Sequence, residues 1–296
     1  MKFDLDLLGK SKYLTTLSGI VLLVGAVFIY FVGLNLGIDF TGGTQFTIQF
    51  QNNVGSGEVR NVISKIDPVL ANSKIQDIEG QNKKSITTKL DVSEDQDILD
   101  QVEGRLQDSF SVVEGGVSRR SVGTQISEEL QRKGWQAILL ALLVTLIYIS
   151  WRFRLRYAVG AVFAVIHDVT IALAIFALFK VEINLPTIGA FLTIVGYSLN
   201  DTIVYFDRIR ENEGRRGFKD VHTFKLINTS INQSLPRTLG TSATTFIPVF
   251  ALFLFGGPVL KPFSLALLIG VLVGTYSSIY IASPIVYLWD KYLSRE

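Results

Sequence analysis

Three ionisable residues stand inside apolar runs long enough to cross a bilayer: Asp201, and the adjacent pair His167 and Asp168. A charged side chain at the centre of a membrane helix costs about 2.5 kcal/mol or more, so each needs a reason to be there. Arg237 lies just before another apolar run, close enough to reach into a helix bundle or to snorkel to the interface. The chemistry open to a buried carboxylate is uptake and release of a proton. Burial favours its neutral form and a nearby cation its charged form, so a rearrangement can toggle it. Around Asp201, the residues Asn200, Tyr197 and Thr241 offer a hydrogen-bond relay. The competing use of Asp201 is structural, as a carboxylate bonded to its neighbours or ion-paired with Arg237. His167 and Asp168 form a second candidate proton site, with the rival reading that the two satisfy each other.

Helical phase arranges the residues around these groups. Gly189, Thr193, Gly196 and Asn200 recur at spacings of four and three, making a small and polar face flanked by Tyr197 and Asp201. Gly160, Ala164, His167 and Ile171 share another face, with Asp168 at its edge. Arg237, Thr241, Thr244 and Pro248 follow one side of the next segment but one. Ala266, Gly270, Gly274, Ser278 and Ala282 repeat every fourth residue. Small residues at that spacing let helices approach closely, so Gly270 and Gly274 are read as packing positions and not as chemistry.

Other chemistries are excluded or unsupported. The chain has no cysteine, which rules out disulfides and thiolate metal sites, and only two histidines, too few for a multi-histidine centre. It carries no phosphate-binding GxxxxGK[ST] loop and no nucleophile–base or paired-carboxylate arrangement in its polar part. An enzyme is therefore not expected, nor a cofactor, a metal or a nucleic-acid partner.

The elements that must hold these residues follow from composition. At 296 residues and 48% hydrophobic content the chain is too apolar for an ordinary soluble domain. Six runs reach the roughly 20 residues that span a hydrocarbon core: Leu14–Leu34, Trp135–Trp151, Tyr157–Phe179, Leu185–Phe206, Leu239–Phe255 and Pro262–Trp289. The first begins like a signal peptide, but its apolar run is overlong and no small-x-small cleavage site follows, so it reads as a retained anchor.

Basic residues set the orientation. Lys2, Lys10, Lys12, Arg152, Arg154, Arg156, the seven from Arg208 to Arg237, Lys291 and Arg295 fall on one side. Only Lys180 and Lys261 fall in the opposite short loops. This asymmetry places both termini and the loop 207–237 in the cytoplasm and the long loop after the first helix outside. The expected division is 1–36 for the first anchor, 37–133 for an extracytoplasmic domain, and 134–296 for a five-helix bundle.

Within the long loop, Thr44–Phe50 alternates as a strand, Gly57–Ile66 has helical spacing, and Lys74–Ile78 reads as a second strand. Gly80–Lys84 is a turn and Ser85–Asp91 a third strand. Ser93 with Gln96 opens a second helix in capping-box style, and Ser111–Val117 closes the domain. The order βαββαβ is that of an α+β ferredoxin-like fold. Asp39, Gly42 and Gly43 form a turn where the first helix meets it, and the pairs Gly42–Gly43 and Gly115–Gly116 read as flexible joints. In the loop before the fifth span, Val221, Phe224, Ile227, Ile231 and Leu235 lie on one helical stripe. That suits a helix lying in the membrane interface or a connector packed on the bundle.

These same residues carry a likeness. Gly37-Ile38-Asp39-Phe40-Thr41-Gly42-Gly43-Thr44, Ile166-His167-Asp168, and Val195 to Val204 running into Phe206 to Asn212 all resemble the SecF side of the SecD/SecF protein-export family. So does Ser234-Leu235-Pro236-Arg237-Thr238. The resemblance covers the whole chain in order. It implies membership of the resistance-nodulation-division superfamily and a place in the bacterial cytoplasmic membrane. It further implies a heterodimer with SecD, contact with the SecYEG translocon and the translocating preprotein, and drive by the proton-motive force. Asp201 and Arg237 match positions the family uses for proton coupling.

Independently, six helices with one outer domain look like half of a repeat pair, which asks for a second six-helix subunit as well as surrounding membrane lipid. The rival functions are half of a small-molecule proton antiporter, for which the outer domain is small, and a non-energetic assembly scaffold.

Overall fold

The computed structural model describes residues 4–78, 82–90, 95–215 and 222–293. The chain forms two compact units, one of residues 36–135 and one of residues 1–35 with 136–296. Gly80, Gln81, Asp91, Ser93, Arg216, Lys219 and Val221 lie outside the described residues, and with them the expected capping box.

Among the described residues, six helices are long and apolar enough to cross a membrane: Leu7–Val32, Thr124–Arg152, Leu155–Leu178, Leu185–Gly214, Thr223–Phe255 and Val259–Tyr292. The first, α1 (Leu7–Val32), starts at Asp6, whose carboxylate accepts the backbone N–H of Gly9 at 2.9 Å. A second cap comes from far along the chain. Asn228 Oδ1 accepts the N–H groups of Leu7 and Leu8, both at 3.0 Å, and Asn232 Oδ1 accepts that of Leu5 at 2.9 Å. Both amides also donate to the Leu5 carbonyl.

Residues 36–135 build a small antiparallel sheet with helices packed on it. After a short α2 (Ile38–Thr41) come β1 (Gly43–Phe50), α3 (Ser56–Ile63), β2 (Lys74–Ile78), β3 (Lys83–Thr88), α4 (Gln96–Ser109) and β4 (Val112–Val122). The strand order is β2-β3-β1-β4, with Phe46 opposite Ile86 and Arg119, and Gly43 opposite Val122. Alternation sends Phe46, Ile48 and Phe50 to one face. There they are sealed against Val59 and Ile63 of α3 and Leu99, Val102 and Leu106 of α4, all at most 2% exposed.

One glycine of each pair occupies a crowded backbone position. Gly43 has φ +104°, and a Cβ there would lie 2.2 Å from the Thr88 carbonyl oxygen of the paired strand. Gly116 sits where β1 and β4 slip register, and its Cβ would meet the Val113 carbonyl at 2.7 Å. Both are fixed backbone geometries that only glycine permits. Asp39, 2% exposed, is held by Arg120 Nη2 at 2.6 Å, which ties α2 to β4.

Expressed alone, residues 36–135 should be soluble and unfold in one cooperative transition with mixed α/β circular dichroism. Gly43→Ala should lower that stability by about 2 kcal/mol, through strained φ and steric overlap. A purely helical or disordered spectrum for the wild-type unit would refute the strand assignment.

The chain re-enters the other unit through α5 (Thr124–Arg152), followed by α6 (Leu155–Leu178), α7 (Leu185–Gly214), α8 (Thr223–Phe255), α9 (Gly257–Ser277), a π-helical turn at Ser278–Ala282, and α10 (Ser283–Tyr292). Asn184 caps α7, its Oδ1 accepting the Thr187 N–H at 3.1 Å. The apolar core joins Tyr157, Ala161 and Val165 of α6 to Leu199, Tyr205, Phe206 and Ile209 of α7, and to Ala282 and Val286. Close helix approach is set by small residues. A Cβ on Gly160 would meet the Ala282 carbonyl at 2.9 Å, and one on Gly270 would sit 2.3 Å from Ile194 Cγ1. Near one end of the unit, Arg156 pairs with Asp290 and, at 2.5 Å, with Glu213, clamping α6, α7 and α10 together.

The fifth span departs from the sequence expectation. It begins at Thr223 instead of near Leu239, and α8 runs unbroken through Pro236 and Pro248. Of the two readings of the stripe, the structure gives the one packed on the bundle: Ile227 and Ile231 are fully buried, Leu226 and Leu235 nearly so. Packing on α7 and α9 outweighs the loss of one hydrogen bond at Pro236.

Candidate functional site

Asp201 projects from α7 into the bundle and is 1% exposed. Its Oδ2 accepts hydrogen bonds from Ser242 Oγ of α8 at 3.2 Å and Thr275 Oγ1 of α9 at 3.3 Å, and those two hydroxyls lie 2.7 Å apart. Its Oδ1 is buried with no hydrogen-bond partner among the described residues, and the same is true of Tyr197 Oη one turn earlier on α7. Two unsatisfied buried polar atoms on one helix side are uncommon and ask for an explanation.

Of the other residues expected around Asp201, the Asn200 side chain lies against the carboxylate, whereas Arg237 and Thr241 are not gathered onto it. Asn200 and Arg237 are exposed, and the Arg237–Asp201 ion pair of the structural reading is not formed among the described residues. Thr241 is committed to its own helix, its hydroxyl donating to the carbonyls of Arg237 at 2.6 Å and Thr238 at 3.2 Å. Gly189, Thr193, Gly196 and Asn200 of α7 and Arg237, Gly240, Thr241 and Thr244 of α8 are all exposed on this chain. The small polar face is thus uncovered, while the carboxylate beside it turns inward.

Asp168 of α6 is fully buried and more completely satisfied. Its Oδ1 lies 2.9 Å from His167 Nδ1, and its Oδ2 accepts from Ser198 Oγ of α7 at 2.6 Å and Ser277 Oγ of α9 at 2.8 Å. The His167 ring stacks on Tyr276 at 6.1 Å between centroids, and the Tyr276 hydroxyl reaches Ser18 and the Leu14 carbonyl of α1. Gly274 faces this group, since a Cβ there would lie 3.5 Å from Asp168 Oδ2.

Sequence reasoning located both carboxylates but missed the hydroxyls that serve them: Ser198, Ser242, Thr275 and Ser277. Ser198 stands three residues before Asp201 and so could have been placed near its helix side. The α9 residues carry no comparable signal.

Six spans among the described residues, an α/β unit and buried carboxylates that bridge helices define a multi-pass membrane protein. The description "Protein export membrane protein SecD/SecF, C-terminal" fits residues 104–292, and the "SecD/SecF GG Motif" fits residues 27–54. A protein translocase subunit SecF from Thermodesulfovibrio yellowstonii is 42% identical, the match spanning 98% of this chain and 96% of that one. Another from Petrotoga mobilis is 39% identical over 96% and 95%. The crystal structure of SecDF from Thermus thermophilus superimposes with a TM-score of 0.85 at 35% identity, covering 98% of this chain and 39% of that longer one. The chain belongs to the SecD/SecF family of protein-export membrane proteins, and it is a multi-pass protein of the bacterial inner membrane.

Proposed function

We propose that this chain is a Sec protein-export subunit in which Asp201 takes up and releases protons, so that the proton-motive force promotes translocation of preproteins. The observation that carries this reading is the state of Asp201 itself. It is a buried carboxylate with one oxygen served by movable hydroxyls and the other unpartnered. Such a group has room to change its charge during a cycle, whereas a purely structural carboxylate is satisfied at both oxygens. His167 and Asp168 form a second proton-carrying pair. Asn200, Arg237 and Thr241 stand on the uncovered face, which a second subunit covers. This is transport work, not catalysis of a chemical conversion.

The partner is SecD, in keeping with a relative from Thermus thermophilus named protein translocase subunit SecDF, of which this chain matches 38%. Through that partner the complex acts with SecYEG on the emerging chain. The strand order β2-β3-β1-β4 with two helices on one face supports a ferredoxin-like outer domain at residues 37–133. Both termini are cytoplasmic. The test of function is gradient-driven translocation into inverted vesicles, combined with co-purification of the six-helix partner from native membranes.

Orientation has its own test, made clean by the absence of cysteine. Ser56→Cys should react with an impermeant maleimide added outside intact cells, and Lys225→Cys should react only after permeabilisation. The reverse pattern would overturn the orientation and with it the export reading.

A further inference from the structure

One stretch of α9 touches both buried carboxylates. Thr275 donates to Asp201 Oδ2 at 3.3 Å, and Ser277, two residues on, donates to Asp168 Oδ2 at 2.8 Å. Ser278, next in line, bonds Thr202 at 2.8 Å, immediately beside Asp201 on α7. Ser198, three residues before Asp201, completes the circuit by donating to Asp168 at 2.6 Å. Two acidic groups on different helices therefore share one turn of a third.

Each serving hydroxyl on α9 also has a second acceptor within reach. Thr275 Oγ1 lies 2.9 Å from the Val271 carbonyl, and Ser277 Oγ lies 3.2 Å from that of Gly274. An ionised carboxylate accepts only, and a protonated one must also donate. When either carboxyl gains a proton, its hydroxyl can rotate to the helix carbonyl without leaving a donor unsatisfied. The two fallback carbonyls belong to the same helix, so a swap at one end alters the hydrogen bonding of the turn that serves the other.

The turn also stands where α9 is most able to shift. Directly after it the helix widens into the π turn Ser278–Ala282, a feature frequent at functional sites. The loosened carbonyls there are held from outside the ladder: Thr15 Oγ1 donates to Tyr280 O at 2.6 Å and Ser283 Oγ to Ser278 O at 2.8 Å.

We propose that the Thr275–Ser277 segment of α9 couples Asp201 on α7 to Asp168 on α6 as two proton-holding carboxylates, so that loading one resets the other. This rests on the proton reading of Asp201 and adds a second site and the element that joins them. The described titratable side chains around the pair are few. His167 on α6 bonds Asp168, Tyr276 on α9 stacks on His167, and Tyr205 on α7 lies one turn beyond Asp201, bonded to Thr238 of α8. No charged side chain from α8 or α9 bonds either carboxylate among the described residues.

The test is an infrared pH titration of the full chain in lipid vesicles, following the carbonyl band of protonated carboxyls. Asp168→Asn and Asp201→Asn assign the two bands. The expected result is that Asp201→Asn moves the midpoint of Asp168 by about one pH unit or more, the level at which two sites titrate as a pair. In a Thr275→Val, Ser277→Ala background that shift should vanish while each carboxyl still titrates. Thr275→Ser with Ser277→Thr keeps both hydroxyls and should retain it, which separates coupling from loss of fold. Independent titration of the two carboxyls in the wild-type protein would overturn the coupling and leave the proton reading of Asp201 intact. Absence of any titrating carboxyl band would overturn both.

Discussion

Asp201→Asn should abolish the gradient-dependent part of protein export, lowering it at least tenfold, while membrane level and partner binding stay near wild type. The amide is nearly isosteric and still accepts from Ser242 and Thr275 through its oxygen, so the packing of α7 against α8 and α9 survives. What it cannot do is change charge. One elementary charge moved across 100 mV is worth about 2.3 kcal/mol, more than a tenfold bias on a two-state bundle, and the variant forfeits that drive. The measurement is translocation of a preprotein into inverted vesicles with and without an imposed proton gradient. Full gradient-dependent export by the variant would reduce Asp201 to a structural residue and leave the scaffold function standing.

The second large effect concerns how closely α7 and α9 pack. Gly270→Ala should destabilise the bundle by about 1–3 kcal/mol, the usual range for overpacking a filled interior. The new methyl would sit 2.3 Å from Ile194 Cγ1 and 2.8 Å from its Cδ1. Ile194 is 1% exposed and β-branched, so it has little freedom to move aside in a helix. Combining Gly270→Ala with Ile194→Ala removes the colliding atoms. The pair should then show a favourable interaction of about 1–2 kcal/mol relative to the sum of the single changes. Thermal unfolding of the detergent-solubilised protein reads this directly. Strictly additive losses would mean the two residues do not set the helix spacing.

Much of this architecture was legible because membrane spans advertise themselves: six long apolar runs with nearly all charge in their flanks leave few alternatives. The start of the fifth was misread for a local reason. Pro236 and Arg237 look like a boundary, since proline discourages helix before it and arginine suits an interface. Burial of Ile227 and Ile231 kept the helix continuous. At the glycine pairs composition reveals that a backbone position is permissive but not that it is crowded; the Thr88 carbonyl against Gly43 is a tertiary fact.

At the site, Asp201, His167 and Asp168 stood out because charge inside an apolar run is rare. The hydroxyls did not, because serine and threonine are readily accommodated in membrane helices by bonding their own helix. Thr170 donates to Ile166 O and Thr193 to Gly189 O at the usual back-bonded positions. Nothing in residue type separates those from Ser277 or Thr275, whose partners are carboxylates. Only the rotation of α9 about its axis decides which hydroxyls look inward.

The double clasp of Asn228 and Asn232 on the start of α1 also bears on how the protein is made. The side chain that receives the N–H groups of Leu7 and Leu8 is attached more than 200 residues later in the chain. At typical synthesis rates the ribosome needs roughly 10–45 s to cover that distance. During that interval the first helix can enter the bilayer but cannot be seated. Its final position waits for the fifth, so that a helix made early docks late.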